Sequence, residues 1–181
     1  NDTTKKFYGI IPVEFSAAML YFHQKGIVQN LIHNLKYKKH QEIGTLLGEW
    51  YAKDLESVAN IKTVSEIIPV PLHKKRLEER GYNQITTFCE TLSNELKIPY
   101  NPNLLYRNRY YKTQTKKDKE NRKDITNALF DVHFTETDYN KHFLLVDDVM
   151  TSGATLEACA KALLKIPNSK VSIVTIAYTQ S

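Results

Sequence analysis

The chain has 181 residues, 41% apolar and 25% charged, which is enough for one packed domain and too apolar for a disordered chain. No apolar run approaches the ~18 residues of a membrane span, and the first residues carry no signal-peptide pattern. Cys89 and Cys159 are too few and too far apart for a disulfide framework or a zinc cluster, so a cytoplasmic location is expected. The net charge of +5 is local: between Leu105 and Asp124 stand eight basic residues and three acids, and the rest of the chain carries 17 of each sign. A general basic face for nucleic acid is thereby excluded. The chain opens on Asn1 and its first methionine is Met19, so native sequence upstream of this stretch is expected.

Hydrophobic periods alternate between those of strands and helices. Phe7 to Phe15 and Ala17 to Phe22 read as two short strands that could pair as a hairpin. From Gly26 to Lys38, Ile27, Val28, Leu31, Ile32 and Leu35 fall at helical spacing, and a second stripe runs through Ile43, Leu46, Leu47, Trp50, Tyr51 and Leu55. Glu66 to Val70 is a short apolar run stopped by Pro71, as in a buried strand. Asn83 is placed to cap a helix with the stripe Ile85, Phe88, Cys89, Leu92 and Leu96. Strands follow near Leu104 to Arg109 and Leu129 to Phe134, separated by Tyr111 to Lys123, which offers no aliphatic residue to a core. Phe143 to Val146 reads as a central strand, Leu156, Cys159, Ala160 and Leu163 as a helix, and Val171 to Tyr178 as a last strand. Such alternation predicts an α/β fold with a mainly parallel sheet flanked by helices, a single domain over residues 1–181.

The most informative string is Phe143-Leu144-Leu145-Val146-Asp147-Asp148-Val149-Met150-Thr151-Ser152-Gly153-Ala154-Thr155. A buried strand runs into two carboxylates, at the strand end where open α/β sheets bind ligands. The turn that follows is built of hydroxyls and one glycine and opens a helix. Its free N–H groups and the helix dipole suit an anion, with Thr151, Ser152 and Thr155 as further donors and Gly153 allowing close approach. Acids beside an anion cradle fit a ligand with phosphate and hydroxyls, or a divalent cation. The second glycine and the lysine of a Walker A loop are absent. A Mg²⁺-dependent phosphotransfer domain stays open at this point, as does the plain alternative of two acids at a loop start with Thr151 as a helix cap.

A second cluster runs Ile67-Ile68-Pro69-Val70-Pro71-Leu72-His73-Lys74-Lys75-Arg76, then Arg80-Gly81-Tyr82-Asn83-Gln84. Its cations follow the end of a strand and could neutralise a highly charged leaving group; by itself it reads equally as a solvated loop.

Four apolar residues, two acids, an apolar residue and a Thr-x-Gly-x-Thr turn resemble the phosphoribosylpyrophosphate (PRPP) motif of type I phosphoribosyltransferases. With Pro69 to Leu72, Arg80 to Gln84 and Leu35-Lys36-Tyr37, the chain resembles the ComF branch of that group, associated with bacterial DNA uptake, over roughly residues 13–178. The resemblance implies a type I phosphoribosyltransferase fold with a small hood of strands and a flexible loop, here an insertion at residues 104–134. It implies that Asp147 and Asp148 hold the ribose hydroxyls and, directly or not, Mg²⁺. Thr151, Ser152, Gly153, Ala154 and Thr155 would grip the 5-phosphate. Pro71, Leu72, His73, Lys74, Arg76 and Arg80 would form the pyrophosphate loop. Arg107, Arg109, Lys112, Gln114 and Arg122 would belong to the hood, closing over the ligand as a lid, with Ile125 where an asparagine is common.

Members usually begin with a four-cysteine zinc module, absent from this stretch, so its presence upstream is an open expectation. The likeness extends to the phosphoribosyltransferase half of glutamine amidophosphoribosyltransferases; without a glutaminase domain and terminal cysteine, that reaction is not expected. The implied activity is transfer of phosphoribosyl from PRPP to an unidentified acceptor with release of pyrophosphate. The alternative is a non-catalytic PRPP- or nucleotide-binding module acting through competence-machinery proteins or single-stranded DNA, for which Tyr106, Tyr110 and Tyr111 among the cations form a candidate stacking platform. Pairing of two copies is a further expectation. His23, His33, His40, His133 and His142 show no metal-ligand spacing, and both cysteines sit on apolar stripes, which suits core thiols.

Overall fold

A computed structural model describes residues 2–108 and 129–179 of the chain. Four parallel strands form one sheet in the order β1 (Ser16–Tyr21), β6 (Lys170–Tyr178), β5 (His142–Met150), β2 (Glu66–Pro69). The apolar run of β5 is central for a physical reason: Phe143, Leu144, Leu145 and Val146 are all fully buried, which requires strands on both sides and packing on both faces. One face is covered by α2 (Ile27–Tyr37), α3 (Glu42–Glu56) and α5 (Thr86–Leu96), through Leu35, Leu47, Leu55, Phe88 and Leu92. The other is covered by α6 (Ala154–Leu163) and by an antiparallel ribbon of β3 (Leu105–Arg107) and β4 (Phe130–Val132). The parallel sheet between two layers is the type I phosphoribosyltransferase arrangement anticipated above.

The N-terminal segment departs from the expected hairpin. Residues Asp2–Lys5 form a short helix, α1, and the chain then turns, with the Ile11 amide donating to the Phe7 carbonyl at 3.2 Å. Phe7 and Ile11 are four residues apart, the spacing of one helical turn rather than of a strand face, and both are buried. The β1 strand pairs in parallel with β6 and has no hairpin partner among the described residues.

Two further differences shape the site. β5 does not stop at Val146: pairing with β6 continues through Asp147 opposite Thr175 to Met150 opposite Tyr178. The stretch expected as a cationic loop contains a helix, α4 (Lys74–Arg80). It has no apolar stripe and therefore no periodic signal; it is held by the ion pairs Lys74–Glu78 and Lys75–Glu79 and by His73 Nδ1, which accepts from the Lys75 amide at 3.2 Å. It stops at Gly81, whose φ of 79° suits a helix C-terminus. Asn83 is not the cap of α5, whose N-cap is Ile85. Instead its Nδ2 donates to the Val70 carbonyl at 3.1 Å, tying the exit of β2 to the entry of α5.

Candidate functional site

The two adjacent acids at the end of β5 stand in unlike surroundings. Leu144 and Val146 face α3 and α5 and Phe143 and Leu145 face α6, but beyond the acids the faces exchange, with Val149 on the α3 and α5 side and Met150 on the α6 side. Asp148 is only 5% exposed and is held by two donors. Its Oδ2 accepts from Lys36 Nζ at 2.9 Å and from Gln84 Nε2 at 2.5 Å. Gln84 Oε1 in turn accepts from Arg80 Nη1 at 2.6 Å, while Arg80 Nη2 donates to the Tyr37 hydroxyl at 3.2 Å and the guanidinium lies 4.8 Å from the centre of the Tyr37 ring. The Tyr82 hydroxyl donates to the Leu35 carbonyl at 2.7 Å. Leu35-Lys36-Tyr37, Arg80 to Gln84 and the acid pair, far apart along the chain, thus form one network around a single carboxylate.

Asp147 has no such escort. The Asp148 amide donates to its Oδ1 at 2.8 Å. The residue keeps some exposure, yet its carboxyl lies deep enough that burial, and then the charge of Asp148, push its pKa up to about 8, while the Asp148 amide and Lys36 pull the other way. Burial thus makes this carboxyl harder to ionise than a solvated one.

The turn beyond β5 is open. Thr151, Ser152, Ala154 and Thr155 are exposed at the entry to α6. Gly153 has φ 82° and is buried beneath Phe7; a Cβ there would meet the Phe7 ring at an ordinary contact distance of 3.4 Å, so it is the backbone conformation that favours glycine. Gly153, not Thr151, is the N-cap residue of α6. The Ser152 hydroxyl accepts from the Ala154 amide at 3.4 Å, and Lys6 Nζ donates to the Thr151 carbonyl at 3.0 Å. Exposed hydroxyls at a helix start, with a lysine alongside, suit a phosphate.

Helix α4 divides the second cluster. Pro71, Leu72, His73 and Lys74 line a cavity of about 630 Å³ whose opposite wall is β3, with Tyr106 and Arg107. Arg76 and Arg80 border a different, smaller cavity against the end of α2. Arg107 is the one hood cation among the described residues; Arg109, Lys112, Gln114 and Arg122, with Ile125, lie outside them. Burial lowers the Arg107 pKa, and the charge of Arg76 pushes it the same way. Of the candidate stacking platform, Tyr106 stacks on His133 at 4.1 Å, and Tyr110 and Tyr111 lie outside the described residues.

Lys36, Tyr37 and Gln84 were legible only as marks of a family, and pattern reading assigned them no chemistry. What could have flagged Lys36 is its place beside Leu35 at the end of an apolar stripe, where a charged side chain that loses water needs a partner.

The model of the phosphoribosyl transferase domain matches residues 86–181, more than half of the chain. The chain belongs to this family. Among its curated relatives, the competence protein F of Haemophilus influenzae is 32% identical over 122 residues, covering 67% of this chain and 53% of the relative. The DNA utilization protein YhgH of Escherichia coli K12 is 28% identical over 138 residues, 75% of this chain and 60% of the relative. The competence protein ComFC of Bacillus subtilis is 34% identical over 99 residues, 55% of this chain and 38% of the relative. This is the ComF branch of the phosphoribosyltransferase-like proteins. The chain thus spans only about half to three-fifths of the length of the first two relatives. Lys36, Arg80 and Gln84, which surround Asp148, lie upstream of the residues matched by the phosphoribosyl transferase model. No helix among the described residues is long and apolar enough to cross a membrane.

Proposed function

We propose that the chain binds PRPP and transfers its phosphoribosyl group to an acceptor not yet identified, releasing pyrophosphate, in a process linked to DNA uptake. The observation that carries this reading is the junction of β5 and α6. A protonatable buried acid, a second acid fixed by Lys36 and Gln84, and an exposed Thr-Ser-Gly-Ala-Thr turn follow one another within nine residues. In this reading the turn takes the 5-phosphate, and Asp147 meets a ribose hydroxyl. Asp148 holds the strand end in place through its network. Arg76 and Arg107, with Lys74, face the diphosphate. The protein's main tasks are positioning and charge neutralisation around an oxocarbenium-like centre. The names of the relatives, competence protein and DNA utilization protein, support the link to DNA uptake.

In this reading Mg²⁺, which prefers substrate phosphates and one or two carboxylates, would be met by Asp147 and Asp148, directly or through water, and would offset diphosphate charge.

A second reading is a binding module without transfer. The observation in its favour is that Asp148 is already satisfied by Lys36 and Gln84, leaving one acid free for chemistry. Titration with PRPP and Mg²⁺, followed by assay of pyrophosphate release across candidate bases, separates the two. Saturable binding with no release on any acceptor would sink the enzyme reading. Binding to single strands that stays flat as salt rises would remove a direct DNA role, since phosphate contacts must release counterions.

A further inference from the structure

The inner face of α3 closes on α5 at Gly44 and Gly48, where a Cβ would collide with Thr87 and Thr91. Leu46 and Trp50 each follow one of those glycines by two residues, about 200° around the helix, and so point away from α5. They are 45% and 55% exposed, and Trp50 is the chain's one tryptophan. Being four residues apart, they form a single apolar ridge, unlike the scattered single apolar residues of an ordinary surface.

Charge sits at the two ends of that ridge. Glu42 lies one turn before Leu46, and Lys53 lies three residues after Trp50; both are exposed. Glu42 Oε1 meets His40 Nδ1 at 2.5 Å, an exposed pair that contributes little. Lys53 has no carboxylate partner among the described residues. A helix face that reads acid, apolar, apolar, base is complementary to itself when two copies run antiparallel. A twofold axis beside residue 48 sets Leu46 against the second copy's Trp50, and Trp50 against its Leu46. The same register brings Glu42 within about one residue of the second copy's Lys53 at each end. A parallel arrangement would instead bring like charges together at both ends. Glu49, exposed on the flank of the ridge, adds one acid per copy near the axis and limits the strength of the pairing.

We propose that this face of α3 is a contact between two copies of the chain. They pair antiparallel through Leu46 and Trp50, with Glu42–Lys53 ion pairs at both ends. The inference does not rest on the PRPP reading, because it uses no residue of the strand-end site.

Sedimentation equilibrium from roughly 1 to 300 µM tests it, with Trp50 emission followed over the same range. So small a contact predicts a dimer with a Kd of about 10–100 µM, and a blue shift of the emission as Trp50 leaves water. Leu46→Glu should leave the protein monomeric throughout. Glu42→Lys and Lys53→Glu should each weaken pairing by about tenfold or more, because each sets like charges at both ends. Mixed in equal amounts, those two variants should pair again, since each end then holds one acid and one base. A monomer across the whole range overturns the proposal. So does a dimer indifferent to Leu46→Glu, or a failure of the two charge variants to rescue each other, since either assigns the contact to another face. Should Leu46→Glu disturb the fold, the mixing of the charge variants decides alone.

Discussion

Asp148 sits in a nearly closed space with Lys36 and Gln84, and Asp147, one residue earlier, carries its charge problem alone. The two should answer differently to substitution. Removing one partner of a buried ion pair leaves a charge without compensation, at a cost of several kcal/mol; Lys36 keeps 22% side-chain exposure, so Lys36→Ala is expected to cost about 2–3 kcal/mol in urea denaturation. Lys36→Met combined with Asp148→Asn should recover part of that loss, because it removes both charges together. For Asp147 the folded pKa is raised from 3.8 to about 8. Between those values the folded state keeps a proton that the unfolded chain has released. The stabilisation is therefore full below about pH 4 and is lost as pH rises through 8. Asp147→Asn should flatten this slope, so its urea midpoint should change less than the parent's between about pH 5 and 8.5. An equal slope in both proteins would show that the carboxyl is not the titrating group.

At the level of elements, the helical stripes of α2, α3 and α5 were legible because burial imposes a 3.6-residue period on their apolar residues. Helix α4 was not, because Lys74 to Arg80 buries nothing and stands on local ion pairs and caps. The N-terminal segment was misread for a related reason: Phe7 and Ile11 bury by a turn, and β1 finds its partner in β6, more than 150 residues away. The contact of α3 with α5 depends on two glycines. A Cβ at Gly48 would lie 2.7 Å from Thr91 Cβ and 3.2 Å from the Phe88 carbonyl oxygen, neither the end of a flexible side chain. Gly48→Ala gains about 1 kcal/mol of helix propensity and meets overpacking of about 1–3 kcal/mol. A net destabilisation of about 1 kcal/mol is expected from denaturation curves, whereas a neutral or stabilised variant would mean that the helices can part without cost.

Across the whole molecule, ligand binding should appear as stability, because the strand-end turn and the Asp148 network exist only in the folded chain. PRPP with Mg²⁺ at about a hundred times its Kd is expected to stabilise the fold by about 2.7 kcal/mol, read as a rise in thermal midpoint. Asp147→Asn should reduce that rise; an equal rise would place the ligand elsewhere. The order of residues alone pointed to the layered parallel sheet, since four consecutive apolar residues before two acids suit a strand with neighbours on both sides and a covering layer on each face. It also marked the acid pair and the hydroxyl–glycine turn, because strand, acids and helix start are contiguous and their chemistry is local. It did not reveal that Lys36, Arg80 and Gln84 meet around Asp148, that Asp147 lacks such partners, or that α4 separates Pro71 to Lys74 from Arg76 and Arg80. Those relations arise between segments distant along the chain, and they follow from which buried surfaces pack together, a choice made only when the whole core closes.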